Sequence, residues 1–174
     1  MRYRWLFSIG LLLLATLTVA APMLPQKPAP LPDEVLSTAQ VTRVRLEVVP
    51  LPRAVTAAGL SAAKFREIVT PVFKAAEISV VEDPAEPLVK IQVLLIGDAK
   101  ATDALTALVF LEFHQSVRIP RLKDRALFVP TVTLLNPAPA TRESLRTVME
   151  TLLTGLAGQF TASVGGANAA LPAE

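Results

Sequence analysis

Apolar and polar residues alternate along four stretches of this chain, and each stretch predicts a β-strand. The first is VTRVRLEVV at residues 41–49, where Val44, Leu46 and Val48 point to one side. The others are LVKIQVLLIG at 88–97, LVFLEFHQSVRIPR at 108–121 and LFVPTVTLL at 127–135. Because the clearest of these strands have only one apolar face, we expect a sheet with one buried side. Pro130, inside the fourth stretch, favours an edge strand or a bulge.

Two other stretches repeat their apolar residues at the spacing of a helix. Ser61 can cap the first helix, and its stripe consists of Phe65, Ile68, Val69, Val72, Phe73 and Ala76. Pro71 lies off this stripe and is expected to kink or split the helix. The second helix is predicted from Arg142 to about Val164, with a stripe of Leu145, Val148, Met149, Leu152, Leu153, Leu156 and Phe160.

These elements follow one another in the order β-α-β-β-β-α, which predicts an α+β fold. Each helix has a single apolar stripe, so both helices should cover one face of a four-stranded, mainly antiparallel sheet in a two-layer sandwich. The last three strands form a meander, and the first joins them through a helical crossover. We place the folded domain at residues 39–165 and a flexible tail at 166–174.

The chain begins with the features of an export signal. Arg2 and Arg4 precede the run WLFSIGLLLLATLTVAA, and no acidic residue appears before Asp33. We therefore predict a signal peptide at residues 1–20, with an uncleaved anchor at residues 6–23 as the alternative. In either case the rest of the chain is exported, to the periplasm or outside the cell. With an uncleaved anchor it also stays attached to the inner membrane by its N-terminus. The proline-rich residues 21–38 are predicted to be a tether.

The composition excludes several kinds of chemistry. Without residues 1–20, Lys and Arg fall from 17 to 15 and equal the 15 Asp and Glu, so bulk charge does not support nucleic-acid binding. With no Cys and a single His, a metal site is not expected. The chain contains no Gly-x-Ser-x-Gly elbow and no glycine-rich phosphate loop, so we expect no catalytic residues and no cofactor.

Two groups of residues are candidate binding sites. Alternation places Glu112, His114 and Arg118 on the open face of the sheet, together with Arg43 and Arg45 from the first strand. The turn between the third and fourth strands carries four cations against one acid, and these cations suit anionic phosphates: Arg118, Arg121, Lys123 and Arg125.

The phrase FREIVTPVFKAAEISVV at residues 65–81, together with the element order, resembles small exported bacterial α/β proteins. The layout is similar to that of the lipopolysaccharide-assembly lipoprotein E, and the resemblance covers about residues 41–164. This chain lacks the lipobox cysteine of that lipoprotein. The resemblance implies an exported protein of the cell envelope.

From these observations we expect an exported, non-catalytic binding or accessory module of the bacterial cell envelope. Its expected partner is another envelope protein or an anionic envelope component. One alternative is a structural subunit of an envelope membrane complex, held by an uncleaved N-terminal helix. Another is a small hydrolase built on Ser116, His114 and Glu112, although side chains at i±2 on a strand lie roughly 7 Å apart, too far for a direct hydrogen bond.

Overall fold

A five-stranded mixed sheet forms one layer of the computed structural model, which describes residues 30–97 and 103–171. The strands lie in the order β2-β1-β3-β4-β5, with β1 parallel to both β2 and β3 and the other pairs antiparallel. Their bounds are β1 Arg43–Val48, β2 Ser79–Val80, β3 Leu88–Gly97, β4 Leu105–Ile119 and β5 Arg125–Ala140. The α+β class and the meander are confirmed, but the four-stranded count is wrong. The added strand, β2, has only two residues, too few for alternation to reveal it.

Four α-helices lie in the described part of the chain: α1 Asp33–Leu36, α2 Arg53–Ala57, α3 Ala62–Ala75 and α4 Leu145–Ala170. The sequence predicted α3 and α4 but not α1 or α2. Helix α2 forms within the segment PLPRAVTAAG, which ends at Gly59 with φ +81°. A helix of four or five residues spans little more than one turn, so it shows no apolar period.

Helix α3 begins as the sequence predicts. The Ser61 hydroxyl accepts a hydrogen bond from the Lys64 backbone N–H at 3.2 Å. The helix is not split at Pro71, which lies inside it. Phe65 and Val69 before the proline and Phe73 after it are all buried against the sheet, so the apolar stripe holds both halves in one helix.

The folded region is longer at both ends than expected. Helix α4 continues past Val164 to Ala170, because Ala167 extends its buried stripe, so a flexible tail from residue 166 is wrong for residues 166–170. At the other end, Thr38 is buried and the Gln40 backbone N–H donates to Asn168 Oδ1 at 2.6 Å. Residues 33–38 thus belong to the domain; residues 1–29, with the predicted signal and the first half of the tether, lie outside the described residues.

Helices α3 and α4 pack on one face of the sheet and bury a single core. The Phe160 ring on α4 lies 5.5 Å from Phe73 on α3 and 5.3 Å from Phe113 on β4, measured between ring centroids. The sheet contributes inward-facing residues to this core, among them Val44, Leu46, Val89, Ile91, Val109 and Leu111. The two-layer arrangement follows from this single core.

Strand β5 forms one edge of the sheet and contains a bulge. Phe113 pairs with Val132 and His114 pairs with Pro130, so Thr131 is an extra residue between them. The prediction that Pro130 marks an edge strand or a bulge is confirmed in both respects. The strand also includes Pro137 and Pro139, which an edge position tolerates because no further strand needs their missing N–H groups.

Candidate binding face

The sheet face opposite α3 and α4 is the candidate functional surface. Along β4, Val109, Leu111 and Phe113 are buried beneath the helices, whereas Phe110, Glu112 and His114 are only half-buried on the other side. The side chains of the described helices that enter the core pack on the face that carries Val109, Leu111 and Phe113. The predicted orientation of this strand is therefore correct, and His114 lies on the open face.

An ordered polar pair lies at the centre of this face. His114 Nε2 lies 3.0 Å from Glu112 Oε2, and the His114 side chain is 15% exposed. Lys90 on β3, directly opposite Glu112 in register, places its Nζ 3.9 Å from the same carboxylate oxygen. The expectation that i±2 side chains are too far apart for contact is wrong for this pair, because both are long enough to bend toward each other along the strand.

An aromatic ring completes the cluster. Phe128 on β5 stacks on the His114 ring with centroids 5.9 Å apart and an angle of 25° between the planes. The Arg45 guanidinium carbon lies 5.9 Å from the Phe128 centroid, and Arg45 Nε donates to the Glu86 carbonyl at 3.2 Å. This arrangement combines a cation–π contact with a stacked pair. We call Arg45, Lys90, Glu112, His114 and Phe128 the polar cluster.

The remaining residues predicted for this face do not join the polar cluster. Arg43 pairs instead with Glu86 at 3.2 Å and Asp83 at 4.0 Å. Arg118 is exposed on β4 beyond the end of β3. Ser116 is exposed too, and in the described part of the chain it makes no hydrogen bond to His114. The triad of the hydrolase alternative therefore lacks contact between its nucleophile and its base.

The same face continues into an apolar region that the sequence analysis did not single out. Leu94 and Ile96 on β3 and Leu135 on β5 are exposed, with Leu94 at 43% and Leu135 at 46%. Leu108 and Phe110 lie between them on β4 and are half-buried. We call these five residues the apolar patch. Its signal in the sequence is that consecutive residues are apolar in VLLI at 93–96 and in LL at 134–135, so each of these strands carries apolar side chains on both faces there.

The predicted basic turn is a tight connection at one end of β4 and β5. A short 3₁₀ helix spans Pro120–Leu122, and Lys123 and Asp124 follow with left-handed φ angles of 55° and 56°. Arg118, Arg121, Lys123 and Arg125 are all exposed. The turn is separated from the polar cluster by the outer parts of both strands.

Among residues 30–97 and 103–171, no three His, Asp or Glu side chains are grouped closely enough to hold a metal ion. No helix in those ranges is both long and apolar enough to span a membrane. The anchor alternative at residues 6–23 lies outside the described residues.

No protein-family model and no curated protein matches this chain. Among solved structures it is similar to a minor lipoprotein from Acinetobacter baumannii, with 10% identity and a TM-score of 0.43 over 72% of this chain and 91% of that one. It is also similar to the PelC dodecamer from Paraburkholderia phytofirmans, with 9% identity, a TM-score of 0.39, and coverage of 71% and 88%. Rare lipoprotein B from Shewanella oneidensis gives 9% identity, a TM-score of 0.39, and coverage of 73% and 96%.

Two of these neighbours are bacterial lipoproteins.

Proposed function

We propose that this protein is an exported accessory module of the bacterial cell envelope that binds another envelope protein through the open face of its sheet. The observation that carries the proposal is the adjacency of the apolar patch and the polar cluster on a sheet face that no described helix covers. Exposed apolar side chains beside ordered aromatic, Arg and charged groups are typical of protein interfaces. The basic, apolar N-terminal sequence supports export.

The proposed role is binding rather than catalysis. Within the described chain, Glu112 engages His114 Nε2, Phe128 covers the imidazole ring, and no hydroxyl contacts either. These contacts hold His114 in one orientation, as suits a residue at a recognition surface. The expected partner presents an apolar surface opposite Leu94 and Leu135.

Site-specific cross-linking tests the binding face, because the chain has no native cysteine. The full chain carrying Leu135→Cys, coupled to a photo-reactive group, should give one discrete adduct in the envelope fraction. Leu36→Cys is the matched control, since Leu36 is exposed on α1, away from this face. Adding Leu94→Lys should abolish the adduct, because it places a charge in the apolar patch. Equal adducts from both cysteine positions would contradict the proposal.

Export is tested separately by determining the first residue of the chain in each cell fraction by mass spectrometry. A chain that begins at Ala21 and lies outside the cytoplasm agrees with a cleaved signal. An intact N-terminus in the inner membrane agrees with the anchored form. A full-length chain that stays in the cytoplasm would contradict export in either form.

A further inference from the structure

The β4–β5 hairpin extends beyond the rest of the sheet. Pairing between β3 and β4 stops at Leu88 and His114, whereas pairing between β4 and β5 continues to Ile119 and Arg125. Residues 115–129 therefore form a two-stranded arm that ends in the basic turn. We define the arm tip as residues 118–125.

The positive charge of the arm tip is not neutralised within the described part of the chain. Arg118, Arg121, Lys123 and Arg125 form no ion pair there, and neither does Asp124, the acid among them. Elsewhere in the same domain, exposed cations such as Arg66 and Arg146 do pair with nearby carboxylates, at 2.9 Å and 3.1 Å. The tip thus carries four exposed cations without a carboxylate partner among the described residues.

An apolar side chain lies among these cations. Leu122 is 47% exposed and sits between Arg121 and Lys123 in the turn. It takes no part in the hydrophobic core. A leucine surrounded by Arg and Lys is the combination that binds the interface of an anionic bilayer, where cations meet lipid phosphates and the leucine enters the apolar boundary.

The chain enters the domain beside this arm. Gln115, the first residue of the arm, donates a hydrogen bond from Nε2 to the Ser37 carbonyl at 2.9 Å, and Ser37 directly follows α1. The residues that precede α1 lead back to the apolar run at residues 6–23. The first described residues of the chain therefore lie close to the base of the arm.

We propose that the arm tip docks on the surface of an anionic phospholipid bilayer, with Leu122 entering the interface and Arg121, Lys123 and Arg125 contacting lipid phosphates. The inference rests on the proposed export only in requiring that the domain meets an envelope membrane. It concerns a surface distinct from the apolar patch and the polar cluster.

A fluorescent probe at the tip tests this docking. The full chain carrying Leu122→Cys, coupled to a polarity-sensitive dye, is mixed with phosphatidylglycerol vesicles or with phosphatidylcholine vesicles. We expect a blue shift of the dye with phosphatidylglycerol only, and its loss at high salt. A dye at Ala54→Cys, exposed on α2, should show no such shift.

Charge-reversal variants then separate the tip from overall charge. The double variant Arg121→Glu and Arg125→Glu should weaken the vesicle binding that produces the dye shift about tenfold or more. The double variant Arg53→Glu and Arg142→Glu makes the same charge change at two exposed arginines outside the arm tip. Arg53 follows the C-terminal end of β1, and Arg142 follows the C-terminal end of β5. This variant should retain the shift. Equal loss in both variants, or an equal shift with both lipids, would overturn the proposal. Neither result would alter the cross-linking outcome at Leu135, so failure here is distinguishable from failure of the proposed function.

Discussion

His114 shows how one residue acquires its role from neighbours on other strands. Its Nε2 contacts Glu112 on the same strand, and its ring stacks on Phe128 from β5. Alternation predicts the face on which His114 lies, but the stacking partner depends on how β4 and β5 are paired. Phe128 was accordingly missed, although its own strand was predicted.

We expect His114→Ala to lower the free energy of unfolding by about 1–2 kcal/mol, because it removes both the contact with Glu112 and the stacking on Phe128. Ser116→Ala, at an exposed neighbouring position, should change it by less than about 0.5 kcal/mol. Urea denaturation of the two variants measures the difference. Indistinguishable midpoints would mean that the His114 contacts do not order this face.

Among the elements, helix α3 and strand β5 both contain proline but accommodate it differently. In β5, proline is tolerated because the strand lies at the sheet edge. In α3, Pro71 removes a backbone hydrogen bond inside the helix, and the buried stripe compensates. The sequence identified Pro71 and Pro130 as irregularities. It could not show that packing keeps α3 whole, because that depends on the sheet beneath it.

Replacing Pro71 with alanine should therefore stabilise the protein. We expect Pro71→Ala to raise the free energy of unfolding by about 1–3 kcal/mol, since the new N–H can complete the helical ladder. Lys74→Ala, one turn later on an exposed position, should change it by less than about 0.5 kcal/mol. Chemical denaturation compares the two. A loss of stability in Pro71→Ala would show that the proline sets a bend that the core requires.

For the whole molecule, Phe160 joins the two main helices and the sheet. Its ring lies against Phe73 on α3 and Phe113 on β4, and it is fully buried. Removing it opens a cavity where all three meet. The rest of the chain contains no disulfide to compensate, since it has no cysteine.

Phe160→Ala should destabilise the domain by about 3–5 kcal/mol. Phe128→Ala provides a matched control, because it removes the same side chain from the exposed face and should cost no more than about 1 kcal/mol. Thermal or urea melts followed by circular dichroism measure both. Similar losses in the two variants would contradict the assignment of buried and open faces.

The sequence by itself determined the long elements and the faces they bury. A period of two or 3.6 residues is local, so Leu46 on β1 and Phe73 on α3 reveal their buried sides without knowledge of the fold. The tertiary structure alone decided the five-strand order, the docking of α1, the length of α4 and the partners of His114. Each depends on which distant segments pair and in what register. The bulge at Thr131 shifts the register of β5 by one residue, and no local pattern encodes the resulting contact between Phe128 and His114.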